Sequence, residues 1–336
     1  MLESQLTTLH VVSLALEYLC QEASPPQQER ISAALLAHSG IEAADVHNND
    51  ARITRHQELT VCANGLSRCP DLGLRLGQRM HISAYGLLGY AAISSATLGE
   101  ALQLMFAYPS LLGTYFHLQL RIEGDLAWIC ASDYRQREDL RRFNIEMCLA
   151  SLRQTCSDLV GHPLPVRRAE FSQSETAYSG SYRTSFGPHI SFDGEQDAFA
   201  IDTRALATRL PLANPVTHNE MLVRCRKLNA EFNTRQRWLE RVRELLGTQL
   251  SAPPRLEALA DQMHCSARTL RRHLYEMGTN YQELLDELRF ERAKQLLAEK
   301  HHAIYQIAEE LGFSESASFR HAFQRWSGVP PSQFRH

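Results

Sequence analysis

The sequence predicts an α+β N-terminal domain followed by an all-α C-terminal domain with two helix-turn-helix units joined by a long linker helix. Three observations carry this expectation. The chain has 336 residues, more than twice a typical domain of about 150. Strand-like alternation is confined to the first 217 residues. The final stretch carries a helical pattern that repeats about 48 residues later.

The elements follow in chain order. Leu6, Leu9, Val12, Leu16 and Leu19 recur at helical spacing, and Ile31, Leu35 and Leu36 resume it after Pro25-Pro26. The weakly charged run Tyr85 to Phe106 approaches the length of a membrane span, but its serines, glycines and Glu100 favour two buried helices broken near Ser95. Thr97 with Glu100 predicts a capping box, and Pro109 a stop at or just after that helix. Phe116, Leu118, Leu120 and Ile122 alternate with polar residues; Glu123-Gly124-Asp125 turns the chain, and Leu126, Trp128 and Cys130 alternate again. This pattern predicts a β-hairpin. Residues 138 to 160 return to helical spacing, while 169–171, 190–192 and 199–201 suit short strands. Beyond about Asn219 the strand signals cease. Residues 220 to 247 form a long charged helical pattern ending at a Ser251-Ala252-Pro253-Pro254 hinge. The expected domains are therefore 1–217, a helical linker 218–250, and 251–336.

Composition narrows the class. With 44% hydrophobic and 22% charged residues, the chain can bury a core and is neither disordered nor collagen-like. The net charge of −3 conceals an asymmetry of −6 for residues 1–217 against +3 for 218–336, so an anionic partner would favour the second half. Eight cysteines without a CxxC pair suggest buried thiols in a reducing cytoplasm rather than zinc or redox chemistry. The first apolar stretch is interrupted by Glu17 and lacks a basic lead, which argues against a secretory signal. No P-loop, GxGxxG, GxSxG or HExxH occurs, so no catalytic residue and no cofactor are expected. The adjacent pair His301-His302 lies in an expected loop without a carboxylate or thiol at ligand spacing on the same element, so no metal site is expected either.

The repeat is the informative feature. Leu256 to His264 reads as a short helix, followed by a second from Ser266 to Met277 that turns Leu270 and Leu274 inward. Ile304, Ile307, Ala308 and Leu311 then lead through Gly312-Phe313-Ser314 to a helix from Glu315 to Trp326. Ala260 and Ala308 permit close helix approach, and Gly312 suits a left-handed turn. His264 holds the equivalent place in the first unit, a type enriched at positive φ. Between the units, Tyr281 to Glu299 predicts one helix of roughly 28 Å, against about 34 Å for a turn of B-DNA. Such a helix could set two recognition helices in successive major grooves. Phe313, Phe319, Phe323, Trp326 and Phe334 are expected in the core.

The run Ile307-Ala308-Glu309-Glu310-Leu311-Gly312-Phe313-Ser314, with Phe319, Ala322-Phe323, Arg325-Trp326, Gly328, Pro330-Pro331-Ser332 and Phe334-Arg335, resembles the signature of the AraC/XylS family of transcription regulators. Ala260, Ser266, Arg268-Thr269-Leu270, Arg272 and Leu274 resemble the other half of that signature. Gly86 to Leu112, with Gly89-Tyr90, Thr97-Leu98-Gly99-Glu100-Ala101-Leu102 and Tyr108, looks like the arabinose-binding-type sensor domain of full-length members. The resemblance implies a cytoplasmic homodimeric regulator of promoter DNA, answering to a small-molecule effector and working beside RNA polymerase. It places Ser266, Arg268, Thr269, Arg271 and Arg272 of the first unit at DNA, with Ser316, Ala317, Arg320, His321 and Arg325 of the second. Many members carry Arg where His321 stands. Arg suits the role because its fork pairs with guanine O6 and N7, while Arg325 reads more simply as a solvated or phosphate-facing group. Tyr85, Tyr90, Phe106, Tyr115, Phe116 and Trp128 are the candidates for an effector pocket, although residues of these types are more often core than ligand contacts. A constitutive DNA-binding protein whose first domain only dimerises is the alternative.

Overall fold

The computed structural model describes residues 6–46, 48, 51–134, 136–299 and 301–335. The chain divides into two compact units, 1–232 and 233–336.

Unit 1 begins with strand β1 (Leu6–Thr7), helices α1 (His10–Cys20), α2 (Pro25–Leu36) and α3 (Ala43–Val46), and strand β2 (Ile53–Thr54), which pairs antiparallel with β1. Helices α4 (Arg55–Leu66), α5 (Leu72–Gly77), α6 (Gly86–Ile93), α7 (Leu98–Ala107) and α8 (Pro109–Leu112) follow. The break between α6 and α7 falls at Ser94–Thr97, as the composition implies. The expected capping box forms in altered shape. Thr97 Oγ1 accepts from the Glu100 N–H at 3.3 Å, but the Glu100 carboxylate reaches back to the Ala96 N–H at 2.7 Å rather than to Thr97.

The hairpin is β3 (His117–Glu123) and β4 (Leu126–Ser132), then come α9 (Arg141–Val160), β5 (Arg168–Glu170), α10 (Ser179–Phe186), β6 (Ile190–Ser191) and β7 (Asp197–Asp202). Five strands form one sheet in the order β3-β4-β7-β5-β6, antiparallel except for the β5–β6 pair. Glu123 pairs with Leu126 across the turn, so even-numbered residues of β3 oppose odd-numbered residues of β4. Leu118 and Leu120 therefore share the main core face with Ile129 and Ala131. Leu126, Trp128 and Cys130 occupy the opposite face, where they pack with Ala198 and Ala200.

Helix α9 is buried on most sides, including Asn144, Glu146 and Thr155. It is contacted intimately by α5. A Cβ at Gly73 would stand 2.6 Å from the Phe143 carbonyl, and one at Gly77 2.6 Å from Ala150 Cβ, so only glycine admits this approach.

The long helix α11 runs Pro215–Gly247, starting earlier than its charge pattern suggests. Met221 and Cys225 enter the core of unit 1, and Leu239, Val242 and Leu246 that of unit 2. The stretch 218–250 is thus not a bare linker.

Unit 2 continues with α12 (Leu256–Gln262), α13 (Ala267–Glu276), α14 (Tyr281–Ala298), α15 (Ile304–Glu310), α16 (Ser316–Ser327) and α17 (Pro331–Phe334). It holds two cores. Leu259, Ala260, Leu270, Leu274 and Leu284 gather with the end of α11, while Leu285, Ala293, Leu296, Leu297, Ile307, Ala308, Leu311, Phe319 and Phe323 gather with Leu250. Helix α14 contributes to both. Phe334, expected inside, is 40% exposed and only meets Phe323 edge-on, at 5.3 Å.

Candidate nucleic-acid interface

In the first unit α12 and α13 are joined by a turn in which His264 takes φ +53°, the cost that the sequence anticipates. Ser266 is the N-cap of α13. Its Oγ accepts from the Thr269 N–H at 3.1 Å and lies 2.9 Å from Thr269 Oγ1, so both hydroxyls are engaged in starting the helix. Leu270 and Leu274 are buried, whereas Arg268, Arg271 and Arg272 are exposed on the opposite side. Arg272 stands 3.6 Å from Glu276 on its own helix, an exposed pair of small energetic weight. Arg268 and Arg271 have no acidic partner among the described residues.

Tyr275 was not singled out by sequence reasoning. It is 81% exposed one turn beyond Arg271 and Arg272. An aromatic four residues after an arginine, on the polar side of an otherwise amphipathic helix, is the signal that could have revealed it.

In the second unit Gly312 takes φ +73°. A Cβ there would fall 2.5 Å from the Leu250 carbonyl oxygen and 2.7 Å from that of Ser251, so the position needs glycine for space as well as for conformation. Arg289 of α14 is nearly buried. Its guanidinium stacks on Phe313 at 4.6 Å and reaches the Gly312 carbonyl at 3.3 Å, and burial lowers its pKa. Ala317, Arg320 and His321 are exposed on α16, and Ser316 is half-buried in its first turn. Arg325, exposed at the far end of α16, has an acidic partner. It donates to Asp286 of α14 at 2.7 Å, tying the recognition helix to the helix that joins the units.

The acidic residues of this unit are absorbed in the same way. Glu287 holds Arg243 at 2.6 Å, Glu310 holds Arg292 at 2.5 Å, and Glu291 holds Lys294 at 2.7 Å. The 11 acidic and 11 basic residues of 251–336 can therefore coexist with a positive recognition face. His301 and His302 differ from expectation, since a carboxylate does reach them. Glu299 Oε2 lies 2.9 Å from His302 Nε2 and 3.7 Å from His301 Nε2, with Glu299 and His301 exposed and His302 half-buried.

A family model described as the arabinose-binding domain of AraC transcription regulator, N-term, matches residues 32–210, and one described as a helix-turn-helix domain matches 259–336. The chain belongs to the AraC family of transcription regulators. This AraC-family regulator is 36% identical to the ornithine utilization regulator of Pseudomonas aeruginosa over 88% of this chain and 87% of that one. It is 27% identical to the transcriptional regulator VqsM of the same species over 78% and 83% of the two chains. The crystal structure of the regulator CdpR from Pseudomonas aeruginosa is similar at 23% identity, with 96% of each chain covered and a TM-score of 0.42. The AraC-family regulator is accordingly a helix-turn-helix DNA-binding protein of transcription. No helix among its described residues is long and apolar enough to cross a membrane.

The six pocket candidates of unit 1 separate in space. Tyr85, Tyr115 and Phe116 line one crevice. Tyr90 is 57% exposed, Phe106 is half-buried against the main core, and Trp128 sits on the far face of the sheet. The Tyr115 hydroxyl donates to buried Glu58 at 3.1 Å, and Arg55 lies over the Tyr115 ring at 4.8 Å and 3.5 Å from Glu58. Burial nevertheless keeps the Glu58 carboxyl above its usual pKa. A second buried acid, Glu146, accepts from Tyr182 at 2.5 Å and Tyr178 at 2.8 Å through Oε1, while Oε2 has no partner among the described residues. Desolvation raises its pKa to about 7.

Proposed function

We propose that this regulator reads promoter DNA in two parts, with α13 and α16 entering successive major grooves on one face of the duplex. The exposed arginine face of α13 carries the reading. Arg268 and Arg271 are free to meet base edges or phosphates, and Arg272 needs to release only a weak exposed partner. Helix α14, 18 residues long or about 27 Å, spans less than one DNA turn of about 34 Å. Ser316, Ala317, Arg320 and His321 supply the second contact, and Ser266 and Thr269 set the start of the first recognition helix.

Two copies would bind together at paired half-sites in the cytoplasm, next to RNA polymerase, with no catalysis. Unit 1 would receive a small effector, and binding would favour one arrangement of the protein over another. Selection of bound sequences from random DNA, followed by footprinting, tests the bipartite reading. Two protected segments about one helical turn apart are expected, and a single short segment per chain would refute it.

A further inference from the structure

The turn between the two helix-turn-helix units carries chemistry that DNA reading does not use. Glu299 closes α14, His301 and His302 follow, and α15 begins at Ile304. The Glu299 Oε2 atom, 2.9 Å from His302 Nε2 and 3.7 Å from His301 Nε2, forms with them a group whose atoms all lie within 4.8 Å of one another. Atoms bound about 2.0–2.2 Å from one zinc ion in tetrahedral geometry stand roughly 3.3–3.6 Å apart. The two separations from the carboxylate fall on either side of that range. Small side-chain rotations, with Glu299 and His301 exposed, therefore bring the group onto a common centre.

The backbone that presents these side chains is held at both ends. The Glu299 N–H donates to the Gln295 carbonyl at 3.2 Å, and the His301 N–H to the Glu299 carbonyl at 2.8 Å. The His302 carbonyl accepts from Arg335, the residue after α17. Next in the chain, the Ala303 N–H donates to Gln306 Oε1 at 2.8 Å as α15 opens. Side chains on a backbone fixed in this way lose less freedom on capturing an ion than those on a loose loop.

Charge and donor type select the occupant. The two imidazole rings lie 4.4 Å apart at an angle of 37°. Two protonated rings at that distance repel, and one carboxylate balances only one of them. Two neutral imidazoles and the carboxylate instead offer a cation two nitrogens and an oxygen. That set suits zinc, cobalt, nickel or copper(II), whereas magnesium and calcium take oxygen ligands. Three protein ligands leave a coordination position for water, so the site is open rather than a closed four-ligand structural centre. Among the described residues no other three such groups converge in this way.

We propose that Glu299, His301 and His302 bind one divalent transition-metal ion, and that the ion clasps the end of α14 to the start of α15. The full chain, stripped of metal by a chelator, is titrated with ZnCl2 by calorimetry and with CoCl2 by visible absorption. Each ion should saturate at one per chain. The cobalt spectrum should show ligand-field bands without the near-ultraviolet band of a cobalt–thiolate bond, because the group contains no cysteine. His301→Ala, His302→Ala and Glu299→Gln should each weaken zinc binding at least about tenfold, since loss of a residue that merely supports a ligand already costs about 10–100-fold. His301 is exposed, so its variant decides even where replacing half-buried His302 disturbs the fold. His117→Ala, which removes an exposed histidine of β3, should bind zinc as the wild type does. A large excess of MgCl2 should not compete.

Amide hydrogen exchange across residues 299–307 should slow when zinc is bound. No saturable binding at one ion per chain, unchanged affinity in folded His301→Ala, a thiolate band, or displacement by magnesium would each overturn the site. An equal loss in His117→Ala would do the same by showing scattered surface binding. Exchange unaltered by bound zinc would overturn the clasp.

Discussion

The sequence hinge at Ser251–Pro254 marks an attractive cut for a minimal DNA-binding fragment, but the packing places the cut elsewhere. Removing residues before 251 deletes Leu239, Val242 and Leu246, which pack with Leu259, Ala260, Leu270 and Leu274, and also Leu250, which belongs to the second core. Each is at most 9% exposed. At about 1.5–3 kcal/mol for each buried aliphatic side chain, the loss reaches about 6–12 kcal/mol, an upper figure because the unfolded chain already shields some apolar surface. A domain of this size has only about 5–15 kcal/mol in total. The Arg243–Glu287 contact at 2.6 Å and the edge contact of Trp238 with His273 at 5.2 Å disappear as well. A fragment of residues 233–336 should therefore show one cooperative urea transition by circular dichroism, and 251–336 should be largely unfolded without urea. Equal midpoints for the two fragments would refute the reasoning, because α11 would then contribute nothing to unit 2.

Gly312→Ala should lower the stability of the 233–336 fragment by about 3 kcal/mol, combining left-handed strain with overlap onto the Leu250 and Ser251 carbonyls; a urea midpoint within error of the parent would contradict the close approach. Arg268→Ala, Arg271→Ala and Arg272→Ala should each either relax preference at one base by about 1–3 kcal/mol or weaken all sequences alike and reduce the salt slope by about one, according to whether base or phosphate is met. Binding to single-base operator variants across a salt series distinguishes these outcomes, and three unchanged variants would remove α13 from the interface. For Glu146 the folded pKa lies near 7, above its usual 4.5, so the folded state holds its proton more tightly and stability falls as pH rises from about 4.5 to 7. Glu146→Gln should flatten that decline and gain up to about 3 kcal/mol above pH 7, measured by denaturation at pH 5 and pH 8; an equal effect at both would place the charge elsewhere. Arg325→Ala should reduce operator affinity without changing base preference, since Arg325 positions α16 through Asp286; altered preference at one base would assign it a direct contact.

Much of unit 2 was legible because its signals are local. A helical period, an N-cap serine and a glycine or histidine in the turn each act within a few residues. The roles of Arg325 and Leu250 were not legible, because Asp286 lies 39 residues from Arg325 and the carbonyl beside Gly312 belongs to a chain segment some sixty residues earlier. Similarly, Glu299 escaped notice as a neighbour of His301 and His302 because it closes a helix while they follow it in the turn.

The hairpin marks the boundary in unit 1. Alternation along Leu126, Trp128 and Cys130 declared a strand with two unlike faces, but which face meets the core was decided by pairing with β3 and β7. The aromatic residues proposed for a pocket were chosen by type, and type does not carry position. Tyr85, Tyr115 and Phe116 meet around one crevice only because the turn before α6 and the segment joining α8 to β3 both fold against α9. The sequence by itself determined the hairpin, the long helices α9, α11 and α14, the paired helix-turn-helix units and the arginine face of α13, since those depend on short-range periodicity. Tertiary structure alone decided where α11 divides between the two units, which polar atoms were left unanswered, and which acids were neutralised. These depend on close packing and on a hydrogen-bond count that can be completed only when distant segments meet.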